Sequence, residues 1–79
     1  MKAVVINKHI VADPGICHGK LTFKGTRIMV WQVLEMLEEG RTAEDVIEAF
    51  PLLTKNHIKS SLSYAADIAK GRNYVLVSV

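Results

Sequence analysis

One cysteine, two prolines and a 6% aromatic content leave several protein classes with nothing to stand on. A lone cysteine cannot close an internal disulfide, so a disulfide-stapled secreted scaffold is excluded. No apolar run approaches the length that crosses a bilayer, and the first residues lack a basic-then-apolar leader. The cytoplasm is therefore the expected compartment. Chemistry-bearing constellations are missing too: there is no phosphate-cradling glycine loop, no nucleophile-base-acid order and no paired catalytic carboxylates. Cys17-His18, with His9 and His57 elsewhere, have no zinc-ligand spacing. We therefore expect no metal, no cofactor and no enzyme.

What is present is a chain of 79 residues, 49% apolar, which makes one small domain over residues 1–79 with a marginal core. So high an apolar share at this size means either dense packing or burial in a partner subunit. The net charge of +2 is small, but the charges are segregated. Residues 1–34 hold Lys2, Lys8, Lys20, Lys24 and Arg27 against Asp13 alone. Glu35, Glu38, Glu39, Glu44, Asp45 and Glu48 crowd residues 35–48, with Arg41 as the one base. From residue 49 onward, Lys55, Lys59, Lys70 and Arg72 outnumber Asp67. A polyanion avoids the middle of such a chain and approaches its two ends.

The pattern predicts a mainly α fold with a small β part. Residues 1–28 carry the β signals. Ala3-Val4-Val5-Ile6 is a short β-prone run, His9-Ile10-Val11 extends it or begins a second strand, and Asp13-Pro14-Gly15 is turn chemistry. Lys20-Leu21-Thr22-Phe23, reversed at Lys24-Gly25 into Thr26-Arg27-Ile28, predicts a hairpin. Residues 29–71 predict three helices. The first runs from Val30 to Glu39 and is closed by Gly40, with Val30, Val33, Leu34 and Leu37 as its buried stripe. The second opens at Thr42, whose hydroxyl caps the first turn with Asp45 as its capping-box acid, and it ends at Phe50 because Pro51 disfavours helix there. Leu52 and Leu53 cross a tight gap, and Thr54 caps the third. After Gly71, residues 74–79 read as a strand apolar on both faces, in need of a partner in the same chain or across a two-fold dimer.

A short helix, a tight turn and a longer helix form the outline of a helix-turn-helix, and with the first helix they make a three-helix core. On the third helix Ile58, Ser61, Leu62, Ala65, Ile68 and Ala69 project to one side, which predicts the buried face. Lys55, Asn56, Lys59, Ser60 and Ser63 project to the other: cations, an amide and hydroxyls, with no carboxylate before Asp67. Cations neutralise phosphates, and Asn or Lys bonds base edges in the major groove. The same inventory also suits the solvated side of an ordinary helical bundle. Arg41, Lys70 and Arg72 are candidate phosphate contacts.

The ordered motifs resemble a known family. Ile10 to Gly19, Gly25-Thr26-Arg27-Ile28 before a helix, Gly40-Arg41-Thr42-Ala43-Glu44-Asp45-Val46-Ile47, Phe50-Pro51-Leu52-Leu53-Thr54, and Ile58 with Leu62-Ser63-Tyr64-Ala65 are similar to domain of unknown function 433, over about His9 to Ala69. The resemblance implies a homeodomain-like helix-turn-helix in small prokaryotic proteins, regarded as VapB-like antitoxins that pair with a toxin bearing a PIN-like ribonuclease domain. In its Gly-Thr-Arg-Ile motif, Arg27 either binds phosphate or ties the hairpin to the bundle. Leu21 stands where the family pattern has proline. An antitoxin also carries a segment that wraps its toxin, and here the terminal strand is the candidate for it, by joining a toxin's sheet edge. The expected function is a DNA-binding antitoxin that acts on its own promoter as a homodimer, since paired DNA readers match two-fold sites. The alternative is an interaction module of the same fold that binds a protein without reading DNA.

Overall fold

The computed structural model describes residues 3–71, so the expected strand over 74–79 lies outside the described residues. The elements run β1 (Val4–Val5), β2 (Ile10–Ala12), β3 (Leu21–Phe23), α1 (Val30–Glu38), α2 (Ala43–Ala49) and α3 (Lys55–Ala69). The fold is mainly helical with a small sheet, as the sequence indicates.

The three strands form an antiparallel sheet in the order β1-β2-β3. Val5 pairs with Val11 and Val4 with Ala12, so the N-terminal apolar run finds a partner inside its own chain. The hairpin tip is set by Asn7, whose side-chain oxygen accepts the N–H groups of His9 and Ile10. Such an Asx-type arrangement satisfies two backbone donors at the point where strand pairing stops.

The predicted hairpin at Lys24-Gly25 needs a correction. The reversal exists: Gly25 has φ +80, Thr26 donates through N and Oγ1 to the Phe23 carbonyl, and Ile28 N–H donates back to Thr26 Oγ1. Yet the ladder of β3 is with β2. The returning segment 26–29 adds only the Phe23 N–H bond to the Ile28 carbonyl and an isolated bridge between Thr22 and Met29, short of a strand of its own. The Thr26 side chain competes for the backbone groups a longer ladder would use, and α1 begins at once at Val30.

The helices follow their capping signals. In α1, Glu39 is the C-cap, Gly40 takes φ +92, Gly40 N–H donates to the Leu37 carbonyl and Arg41 N–H to that of Met36. That pair of bonds is a Schellman closure, and its left-handed residue strains any side chain with a Cβ. The start of α2 is the predicted reciprocal box: Asp45 N–H donates to Thr42 Oγ1, and Thr42 N–H to Asp45 Oδ2. Its end falls at Phe50, immediately before Pro51.

Sheet and helices share one core of Ile6, Ile10, Phe23, Val30, Val33, Val46, Leu53 and Ile58. Leu53 is 2% exposed and Leu52 71%, so the two leucines of the α2–α3 turn do opposite things. The expected inner face of α3 is only partly right. Ile58 and Ser61 are buried, but Leu62 is 50% and Ile68 44% exposed, Ala69 is exposed, and Tyr64 packs against the core instead. The physical reason is length and rotation. The 15 residues of α3 span about 22 Å, whereas α1 beneath it has nine, so the last turns run past their support.

Candidate functional site: the outer face of the third helix

Three features place the outer face of α3. The Thr54 carbonyl accepts the His57 N–H, starting the helix, and Thr54 N–H donates to His57 Nδ1, so a histidine does the work usually given to a capping Glu or Gln. Ser61 is fully buried and donates its hydroxyl to the His57 carbonyl, which satisfies it within its own helix. Ile58 then anchors the inner face.

Against that orientation, Asn56, Lys59 and Ser63 are exposed and Ser60 is half-buried. They are one wall of a shallow concavity. The opposite wall is the β1–β2 tip, with Asn7, Lys8 and His9. Two contacts lock the walls together. Asn7 Nδ2 donates to the Ser60 carbonyl at 3.2 Å, and the His9 and His57 rings stack with centroids 4.5 Å apart and a 43° tilt. The Phe23 ring meets His57 edge-on at 5.6 Å, which seats the imidazole on the core. Burial there, and then the neighbouring His9, hold His57 below its usual range. A neutral ring is also what the cap requires, because Nδ1 must keep a lone pair for the Thr54 N–H.

The remaining predicted contacts are scattered. Lys55 is turned to Glu44 of α2, with Nζ 3.3 Å from the carboxylate. The first-turn backbone N–H and then Lys55 itself hold the Glu44 carboxyl below its ordinary range. Arg41 Nε lies 3.9 Å from Glu39 in an exposed pair. Asp45 is held low by the Thr42 N–H and hydroxyl, as a capping acid should be. Lys70 is the C-cap of α3 and exposed, and Arg72 lies outside the described residues. So Asn56, Lys59, Ser60 and Ser63 are brought together, while Lys55, Arg41 and Lys70 stand apart from them.

Sequence reasoning misses Asn7, Lys8 and His9 as part of this face. Their sequence does mark a polar interruption between two apolar runs, hence a strand reversal. Nothing in it says that the tip reaches a helix 53 residues away.

The histidine and cysteine positions gather no metal site: among the described residues no group of three or more His, Cys, Asp or Glu is placed to hold an ion. Cys17 and His18 sit in a single 3₁₀ turn (Cys17–Gly19) with φ +49 and +56, a left-handed conformation that strains both. The Cys17 thiol lies 3.6 Å from the Arg27 carbonyl, which it can serve as a weak donor, and the Arg27 side chain is exposed. Among the described residues no helix is long and apolar enough to cross a membrane.

Comparison with known proteins gives one match. The family described as a protein of unknown function (DUF433) matches residues 10–65, from β2 into the second half of α3 and short of the β1–β2 tip. No curated protein and no solved structure matches the chain.

Proposed function

The chain belongs to the DUF433 family, and on that premise we propose that it binds double-stranded DNA by laying α3 in the major groove. In this reading α2, the turn over 50–54 and α3 act as a helix-turn-helix. The observation that carries it is the outer face of α3, where Asn56, Lys59, Ser60 and Ser63 stand together in a concavity with no carboxylate in its lining. A major groove about 12 Å wide admits one helix, and amide and hydroxyl groups on its outer face reach base edges. Asn56 and Ser63 reach the base edges in this arrangement, and Lys59 and Ser60 face the phosphate strand beside them. Lys70 at the far end of α3 serves a phosphate. Arg41 serves another once it exchanges Glu39 for it, since an exposed pair of that length is held weakly.

The protein acts as a homodimer on a two-fold site near its own promoter, in the cytoplasm and without enzymatic activity. Leu62 in the middle of α3 and Ile68 on its overhanging end, both left half-exposed, support a subunit contact. They equally support the second reading, an antitoxin or interaction module that buries this surface against a protein such as a PIN-like ribonuclease. Glu44 favours that second reading, because it sets a negative charge beside the first turn of α3.

An electrophoretic mobility shift with the DNA upstream of the coding sequence separates the two. Binding that weakens linearly in log salt, and weakens further in Lys59→Ala, is the expected result. No shift at low salt, together with a stable complex with a neighbouring ribonuclease-like protein, overturns DNA binding.

A further inference from the structure

We propose that the concavity between the β1–β2 tip and α3 seats one phosphate of a nucleic-acid backbone, with Lys8 and Lys59 as its two cations. The inference deepens the DNA reading and rests on it for the source of the phosphate. It adds an element outside the helix-turn-helix, and the Asn7–His9 tip precedes the span that the family matches.

Four observations converge. Lys8 and Lys59 come from elements far apart in sequence yet line one hollow, with no acid in the lining to neutralise them. Ser60 lines the same hollow, a hydroxyl suited to donate to a phosphate oxygen. The walls are braced rather than merely adjacent. Asn7 folds the tip through two backbone N–H bonds and ties it to the Ser60 carbonyl with a third, while His9 stacks on His57. A braced tip keeps the Lys8 backbone in place before a ligand arrives, so binding orders little beyond the lysine side chains. By contrast Lys55, the cation that the helix pattern also offers, is occupied by Glu44.

The geometry gives the phosphate a place in a duplex complex. With α3 in the groove, the tip stands beside the helix, where the sugar-phosphate strand borders the groove. Lys8 therefore positions the protein without reading sequence.

The test follows backbone amide resonances of the full chain during titration with a short duplex and, separately, with inorganic phosphate, in wild type, Lys8→Ala and Lys8→Arg. Lys8 is exposed, so neither substitution disturbs the core. The expected result is a duplex-induced shift at Lys8, His9, Asn56 and Lys59. Lys8→Ala then weakens binding roughly three- to tenfold on all sequences alike and lowers the salt slope by about one, and Lys8→Arg restores both. A duplex that shifts α3 while Lys8 and His9 stay silent, with Lys8→Ala binding normally, overturns the phosphate seat and leaves the DNA reading standing. If no duplex binds at low salt, the DNA reading fails and inorganic phosphate decides. Saturable shifts at Lys8, Lys59 and Ser60, lost in Lys8→Ala, establish a seat for a free phosphate group, and silence overturns it.

Discussion

Thr22 is fully buried in the central register of β3, opposite Val11, and its hydroxyl has no hydrogen-bond partner among the described residues. A β-branched side chain suits the strand, but the oxygen was desolvated without return. Replacing it with the isosteric valine keeps the shape and removes the orphan. Thr22→Val is therefore expected to stabilise the protein by about 1 kcal/mol, read from the midpoint of urea unfolding at unchanged slope. His57 is the second residue whose environment has a measurable consequence. Its folded state disfavours the charged ring, so the unfolded chain binds more protons below the ordinary value of 6.5. This contribution is complete above that value and is lost as the pH falls from there through the lower value of the folded state. Melting temperatures at about pH 7.5 and about pH 5.5 should show a drop for the wild type. In His57→Gln, where the amide oxygen keeps the cap and nothing titrates, the drop should be smaller. The carboxyls of Glu44 and Asp45 are held low, so their losses fall below their ordinary values and do not enter this window.

Among the elements, the α2–α3 pair carries an internal opposition. The same first-turn position that makes Glu44 a favourable partner for the α2 dipole brings its carboxylate against Lys55 at the opening of α3. An exposed pair of this kind contributes little to stability, yet its negative charge faces any polyanion approaching the helix. Glu44→Gln is expected to tighten duplex binding several-fold at low salt while leaving the melting temperature essentially unchanged. Equal affinity for both proteins would place Lys55 and the start of α3 away from the DNA. The elements themselves were the part most readable in the chain. Thr42 with Asp45, Gly40, and Pro51 after Phe50 act through bonds and clashes within a few residues, so neighbours in sequence suffice to place the ends of α1 and α2. The 24–28 reversal was readable as a turn, but not as a return strand, because which strand accepts β3 is settled by β2 from across the loop.

For the whole molecule, the question is what covers its outward apolar groups. Leu52 at 71%, Leu62 at 50%, Trp31 at 49% and Ile68 at 44% exposure come from α1, the α2–α3 turn and α3 of one small domain. Sedimentation equilibrium is expected to return twice the 8.8 kDa chain mass, with Leu62→Glu shifting the population toward monomer. A monomer at high concentration would assign those groups to another protein. Local chemistry, written in consecutive residues, determined the helices, their caps, the turn at Asp13-Pro14-Gly15 and the separation of a polar face of α3 from an apolar one. Tertiary packing alone decided how that helix is rotated, and so why Tyr64 packs inward while Leu62 lies half in water. It also decided that Lys55 meets Glu44 and that Asn7, Lys8 and His9 stand beside Asn56 and Lys59. Those outcomes depend on which surfaces meet across long separations in sequence, and a periodic pattern fixes a face without fixing its neighbour.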